Sequence, residues 1–169
     1  MSVLLHYISS YPADLQQQVQ EMIDEDSLQQ FLLGKYPAAH KVANDGQLRE
    51  YVMDIKNTYM KKTDPLSKIV YDSRIHVINN ALGLHTYISR VQGDKLKSKN
   101  EIRVSTVFKK APEEFLKMIV VHELAHLREK DHNKNFYQLC EHMLPGYHQL
   151  EFDARLYLIQ LELGGSLYN

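Results

Sequence analysis

The chain has 169 residues, of which 44% are hydrophobic and 24% are charged, a balance typical of a soluble globular protein that forms one domain over residues 1–169. Its apolar runs are shorter than the roughly 20 residues of a membrane helix, and its first residues lack the features of a secretory signal. Its single cysteine, Cys140, excludes an internal disulfide. We therefore predict a cytoplasmic protein without a membrane partner, and the net charge of −1 with no recognisable nucleic-acid motif predicts no specific nucleic-acid partner.

Helices are predicted in the first third of the chain. Apolar residues recur at helical spacing over about residues 12–33, and Asp26 with Ser27 marks a point where this first helix can break. Asn44 precedes a second helix, which ends before Pro65. The apolar side of this second helix is predicted to comprise Leu48, Tyr51, Val52, Ile55 and Tyr59.

The middle of the chain is richer in strand-forming residues. A short alternating run covers Ile75–Ile78, and two longer runs cover Leu84–Val91 and Ile102–Phe108. A polar, lysine-rich loop that contains Gly93 joins the two longer runs. This order predicts a small antiparallel hairpin beside the helix that follows.

That helix is predicted to begin at Pro112 and to end near Glu129–Asp131. Proline suits the first turn of a helix, and the carboxylates of Glu113 and Glu114 suit the positive charge at the helix start. The apolar run from Phe115 to Val121 predicts that the helix is buried.

The buried helix carries the pattern H-E-x-x-H at His122, Glu123 and His126. Residues four apart lie on one face of a helix, so both imidazoles can bind one Zn²⁺ or another divalent metal. Glu123 projects beside them, where its carboxylate can act as a general base on water activated by the metal. The pattern therefore predicts the site of a metal-dependent hydrolase.

A catalytic zinc usually has three protein ligands, so a third residue is needed. His132 is the first choice, because its offset of six residues from His126 lets a turned chain reach the metal. Glu129 stands where metzincins have a glycine, so the turn must differ from theirs. Glu151 is the main alternative as a ligand, and it could instead orient a ligand through a hydrogen bond; His142 and His148 are further alternatives.

Two more helices are predicted to complete the chain. Asn133 can cap the first of them, and Pro145 with Gly146 ends it. The last is amphipathic and runs from about His148 to Leu163.

The segment V-V-H-E-L-A-H-L-R-E-K-D-H-N-K-N-F-Y resembles the YgjP-like metallopeptidase family, as do N-A-L-G-L-H-T, S-R-V-Q-G-D-K-L-K, E-I-R-V-S-T-V-F and Y-H-Q-L-E-F-D. The resemblance covers nearly the whole chain. It implies a zincin-like α+β fold, with N-terminal helices, a small antiparallel sheet, an active-site helix and C-terminal helices. It also implies a metal at His122, His126 and His132 and a catalytic acid/base at Glu123. Proteins of this kind have also been assigned nucleoside triphosphate pyrophosphatase activity, notably on UTP.

The predicted function is a zinc-dependent hydrolase with a peptide or a nucleotide as its substrate. A metallopeptidase is the first hypothesis, a UTP pyrophosphatase using the same site is the alternative, and a non-catalytic, zinc-stabilised interaction protein is the third. Residues 90–117 carry eight basic and four acidic side chains, and within them Arg90, Lys95 and Arg103 are the predicted substrate-binding residues.

Overall fold

The computed structural model describes residues 3–75 and 100–168. Within them the structure is rich in helices and contains one small sheet. The elements in chain order are a 3-10 helix over Val3–Ile8, α1 (Ala13–Asp24), α2 (Leu28–Lys35), α3 (Asp45–Tyr59), β1 (Lys68–Asp72), β2 (Glu101–Ser105), a 3-10 turn over Thr106–Phe108, α4 (Glu113–Ala125), α5 (Lys134–Met143) and α6 (Tyr147–Gly164).

The N-terminal helices follow the sequence pattern. The predicted break near Asp26 and Ser27 separates α1 from α2, and Asp26 takes a positive φ of 55° at that point. The carboxamide of Asn44 accepts a hydrogen bond of 2.9 Å from the backbone N–H of Gln47 and so caps α3. The break near Asp26 and the cap at Asn44 are therefore found where they were predicted.

The sheet differs from the prediction. Strands β1 and β2 pair in parallel, with Lys68 opposite Glu101 and Asp72 opposite Ser105, so the predicted antiparallel sheet is wrong for the strands that the structure describes. Parallel neighbours need a long connection, and residues 73–100 supply one, whereas the prediction paired two runs joined by a short loop. The predicted strand Leu84–Val91 and residues 76–78 of the short run lie outside the described residues.

Helix α4 forms the centre of the core. Its residues from Met118 to Ala125 are all buried, and it packs against β2, α5 and α6. The sequence of a helix that is covered on every side is apolar almost throughout rather than on one side only. The sequence of α4 shows this nearly continuous apolar pattern. The position of α4 fixes where the histidines of the H-E-x-x-H pattern lie.

The end of α4 lies earlier than predicted. The helix ends at Ala125 with His126 as its C-terminal cap, so the predicted end near Glu129–Asp131 is wrong. Residues 126–128 form a tighter turn instead, in which the N–H of Leu127 bonds to the carbonyl of Leu124 at 3.0 Å. This early end turns the chain before His132.

The two C-terminal helices match their predictions closely. The carboxamide of Asn133 caps α5 by accepting a 2.9 Å hydrogen bond from the N–H of Phe136. Gly146, at a φ of 85°, turns the chain into α6. None of the described helices is both long enough and apolar enough to span a bilayer.

A buried carboxylate ties α6 to α2. Asp153 is fully buried, and its Oδ2 accepts hydrogen bonds from Lys35 Nζ at 2.7 Å and from the Tyr36 hydroxyl at 2.5 Å. Its Oδ1 accepts a 2.9 Å bond from the amide of Gln149. The ion pair with Lys35 compensates the charge of a group that would otherwise be costly to bury.

Candidate metal centre

The structure brings three histidines together at the end of α4. His122 lies on the last turn of the helix, His126 caps it, and His132 comes from the segment between α4 and α5. One potential ligand atom from each lies within 4.8 Å of the other two. His126 Nε2 and His132 Nε2 are 3.1 Å apart. These are the three residues whose spacing predicted a metal site.

The turn after α4 sets the orientation of His126. Its Nδ1 lies 2.9 Å from the carbonyl oxygen of Glu129, and since a carbonyl only accepts, Nδ1 must carry the proton. The lone pair is then on Nε2, the atom that faces His132. The backbone of the turn therefore holds the second histidine in the tautomer that a metal requires.

A chain of side chains from α6 reaches His122. Its Nδ1 lies 2.6 Å from the hydroxyl oxygen of Tyr147, and that hydroxyl donates a 2.5 Å hydrogen bond to Glu151 Oε2. The other oxygen of Glu151 pairs with Arg155 Nη2 at 3.5 Å. Glu151, the alternative third ligand, thus faces Tyr147 and Arg155, and its nearest oxygen is 4.0 Å from His122 Nδ1.

Sequence reasoning did not identify the partner of His122. The sequence pattern did not indicate that Tyr147 supports a ligand, yet its hydroxyl contacts the predicted ligand His122. A signal was present in the sequence, because Tyr147, Glu151 and Arg155 recur every four residues and so lie on one face of α6. That face is turned toward the histidines.

Aromatic rings enclose the cluster. The ring of Phe136 lies 4.9 Å from that of His122, 4.6 Å from that of His126 and 4.9 Å from that of His132. His132 as a residue is exposed, but its ring packs against these neighbours, and the resulting desolvation lowers its pKa. A lowered pKa keeps this imidazole neutral near neutral pH, as metal binding requires.

The ionisable groups around the histidines are shielded from water. Burial raises the pKa of the Tyr147 hydroxyl well above its usual value, with the charge of Glu151 adding to the effect. Burial, with a further contribution from Glu151, likewise raises the pKa of the half-buried Tyr137 to about 12. Cys140 is fully buried and burial raises its pKa, so it is an inert core thiol.

Glu123 occupies the position that the motif predicts for a catalytic carboxylate. It follows His122 directly on α4 and is fully buried. A fully buried carboxylate that directly follows a clustered histidine in the chain is a candidate for a functional group of the site.

The cluster has the chemistry of a divalent metal site. Three neutral imidazoles suit zinc and the neighbouring transition metals, and zinc binds an imidazole nitrogen at about 2.0–2.1 Å. Two nitrogens bound tetrahedrally at that distance lie about 3.3 Å apart, and the 3.1 Å between His126 Nε2 and His132 Nε2 is close to this value. The residues present therefore fit a metal with three protein ligands.

Of the three predicted substrate-binding residues, the structure describes Arg103 alone. Arg103 is on β2, where its Nη1 bonds Asp72 Oδ2 at 2.8 Å and its Nε bonds Glu101 Oε2 at 3.0 Å. Two carboxylates therefore share its charge. Arg90 and Lys95 lie outside the described residues.

Three clustered imidazoles and a buried glutamate in an H-E-x-x-H pattern are the features expected of a metal-dependent hydrolase. The model of the "YgjP-like, metallopeptidase domain" family matches residues 70–153. Over 160 residues the chain is 58% identical to the "UTP pyrophosphatase" of Escherichia coli (strain K12). The matched segment covers 95% of this chain and 96% of that protein. The chain belongs to the YgjP-like family. None of the solved structures matches it.

Proposed function

We propose that the protein is a zinc-dependent hydrolase that converts UTP to UMP and pyrophosphate. The observation that carries this proposal is the 58% identity to a protein named UTP pyrophosphatase, which extends over 95% of the chain. The histidine cluster supports it, since a pyrophosphatase needs a metal at the phosphates. The H-E-x-x-H pattern taken alone favours peptide hydrolysis, and the extent of this identity outweighs it.

In the proposed reaction His122, His126 and His132 hold the metal and Glu123 moves protons. When bound, the metal polarises a phosphoryl oxygen and lowers the pKa of water. Glu123 takes a proton from the water that attacks the α-phosphorus, the bond between that phosphorus and the bridging oxygen breaks, and the proton passes to the departing pyrophosphate. The burial of Glu123 supports this role, because protons are then exchanged within the site rather than with bulk water.

Peptide hydrolysis is the second candidate. The matched family model is described as a metallopeptidase domain, and H-E-x-x-H is the usual zinc-binding pattern of metallopeptidases. We also infer a zincin-like arrangement over a single domain of residues 1–169, because the H-E-x-x-H helix is followed by a third clustered histidine and α6 contacts both the first helices and α4. The third hypothesis, a zinc-stabilised scaffold, gives no role to the buried Glu123.

Arg90, Lys95 and Arg103 remain the proposed contacts for the phosphates. Of these, Arg103 shares its charge with Asp72 and Glu101, so a phosphate at Arg103 must compete with two carboxylates. The Arg103→Gln variant is therefore expected to raise the KM for UTP only slightly. Comparing the KM for UTP of the Arg90→Gln, Lys95→Gln and Arg103→Gln variants tests the contribution of each residue.

The decisive experiment incubates the zinc-loaded protein with UTP and, separately, with a mixture of unstructured peptides. Release of UMP and pyrophosphate in equal amounts, without cleavage of the peptides, is expected. Glu123→Gln should retain zinc and lose roughly 10²- to 10⁴-fold in kcat, because glutamine cannot take a proton. The matched control is Glu114→Gln, an exposed position on the same helix, which should leave kcat unchanged.

Each alternative has its own outcome in this experiment. Cleavage of peptides that is lost in Glu123→Gln, with no turnover of UTP, would replace the pyrophosphatase by the peptidase. Zinc binding without turnover of either substrate would favour the scaffold.

A further inference from the structure

We infer that Tyr147 and Glu151 are positioning residues that fix the tautomer and the ring orientation of His122 for metal binding. This inference deepens the proposed function and rests on the metal centre that it assumes. It concerns the support of a ligand, whereas neither the family description nor the name of the relative assigns a role to either residue.

The direction of each hydrogen bond follows from the chemistry of the partners. A carboxylate can only accept, so the Tyr147 hydroxyl must donate its single proton to Glu151 Oε2, 2.5 Å away. The Tyr147 oxygen then accepts from His122 Nδ1 at 2.6 Å, which places the imidazole proton on Nδ1. The lone pair of His122 is thereby on Nε2, as it is for His126.

The charge of Glu151 is compensated from the side away from His122. Arg155 pairs with Glu151 Oε1 through Nη2, and its Nη1 donates a 2.9 Å hydrogen bond to the carbonyl of Tyr7. The guanidinium also lies over the ring of Tyr11, at 5.8 Å from its centre. Because Arg155 is fixed by these contacts, the carboxylate stays in place as the acceptor for Tyr147.

Burial explains why this chain of bonds can control a ligand. Tyr147 is fully buried and Glu151 is 7% exposed, so water cannot replace either partner. A metal-binding histidine usually donates its other N–H to a carboxylate, a carbonyl or water, and loss of that partner typically lowers metal affinity 10- to 100-fold. Here a tyrosine is inserted between the histidine and the carboxylate.

The test measures zinc affinity, by competition between the full-length protein and a chromophoric chelator. Tyr147→Phe keeps the ring and removes the oxygen, and its zinc affinity is expected to fall roughly 10- to 100-fold. The matched control is Tyr157→Phe, on the same helix. Tyr157 is also buried, and its hydroxyl donates to the carbonyl of Val107 at 3.0 Å, away from the histidines. Its zinc affinity should equal that of the unmodified protein.

A second variant distinguishes an effect of the hydrogen bonds from Glu151 through Tyr147 to His122 from an effect of simple packing. Glu151→Gln removes the charge and is expected to lower zinc affinity as well. If Glu151 acts through Tyr147, the double variant should bind zinc about as weakly as Tyr147→Phe alone, whereas independent effects would add. Glu151→Gln also provides the measurement if Tyr147→Phe does not fold.

The tautomer itself can be observed. Long-range ¹H–¹⁵N spectra of the zinc-loaded protein should show a protonated Nδ1 for His122 that exchanges slowly with water, and its exchange should be much faster in Tyr147→Phe. A purely structural role for Tyr147 would not change this signal specifically.

Two results would overturn the inference. The first is equal zinc affinity in Tyr147→Phe and Tyr157→Phe, and the second is additive losses in the double variant. Both depend on binding and not on turnover, so an absence of UTP hydrolysis would refute the proposed reaction and leave this test intact.

Discussion

Replacing Asp72 at the end of β1 should change the pH dependence of stability by a predictable amount. Asp72 is 8% exposed and accepts hydrogen bonds from the backbone N–H of Arg74 at 2.9 Å, from the Arg74 guanidinium at 3.1 Å and from Arg103 Nη1 at 2.8 Å. Burial by itself raises the pKa of this carboxyl, but the bonds from Arg74 and then from Arg103 outweigh it and lower the pKa to about 2.

The sign and the size of this effect follow from the difference between the pKa of Asp72 in the folded chain and its pKa in the unfolded chain. The pKa in the unfolded chain is about 3.9, so the difference of roughly two pH units corresponds to about 2.6 kcal/mol of unfolding free energy. Screening by water at the exposed Arg74 side chain reduces this to about 2 kcal/mol. Because the folded pKa is the lower one, this contribution is present in full above about pH 4 and is lost as the pH falls from 4 toward 2.

Urea unfolding of Asp72→Asn and the unmodified protein between pH 7 and pH 2 measures the effect. We expect Asp72→Asn to be about 2 kcal/mol less stable at pH 7 and the difference to shrink as the pH approaches 2. Asp54→Asn, an exposed position on α3, is the matched control and should follow the unmodified protein at every pH. Parallel curves for Asp72→Asn and the unmodified protein would refute the proposed role of the arginines.

Two further predictions concern the segment between α4 and α5. His132→Ala should reduce the amount of bound zinc, measured after equilibrium dialysis against a weak chelator, because it removes one of three clustered imidazoles. The control His148→Ala, at an exposed position, should retain the zinc. Equal retention of zinc in both variants would exclude His132 as a ligand. Asn133→Ala should lower the unfolding free energy by about 1 kcal/mol in urea titrations, because it removes the cap of α5, and an unchanged midpoint would show that water replaces the cap.

Helix existence, capping and the candidate ligands could be predicted because each depends on residues close in sequence. The caps at Asn44 and Asn133 and the spacing of His122 and His126 are local patterns with a direct physical meaning. His132 was also predicted, although the helix before it ends at Ala125, at least four residues earlier than the pattern indicated.

Features that depend on residues far apart in the sequence were predicted less well. The parallel pairing of β1 with β2 joins residues more than 30 positions apart, and a short hairpin was the simpler reading of the same region. The contact of Tyr147 with His122 spans 25 positions and appears only when α6 packs against α4. The periodicity of the last helix predicted a start near His148 and so did not indicate that Tyr147 would meet the histidines.

The hydrogen bonds that join Asp153 to the α2 region bear on which part of the chain forms one folding unit. The family model covers residues 70–153, and this span includes every histidine of the cluster. Yet Lys35 and Tyr36, which compensate the charge of Asp153, lie before it, and Arg155 lies after it. A protein shortened to residues 70–153 would retain Glu151 and Asp153 without the cations that pair with them, and loss of one partner of a buried ion pair costs about 3 kcal/mol or more. The segment that the family model matches is thus smaller than the segment that the protein needs in order to fold.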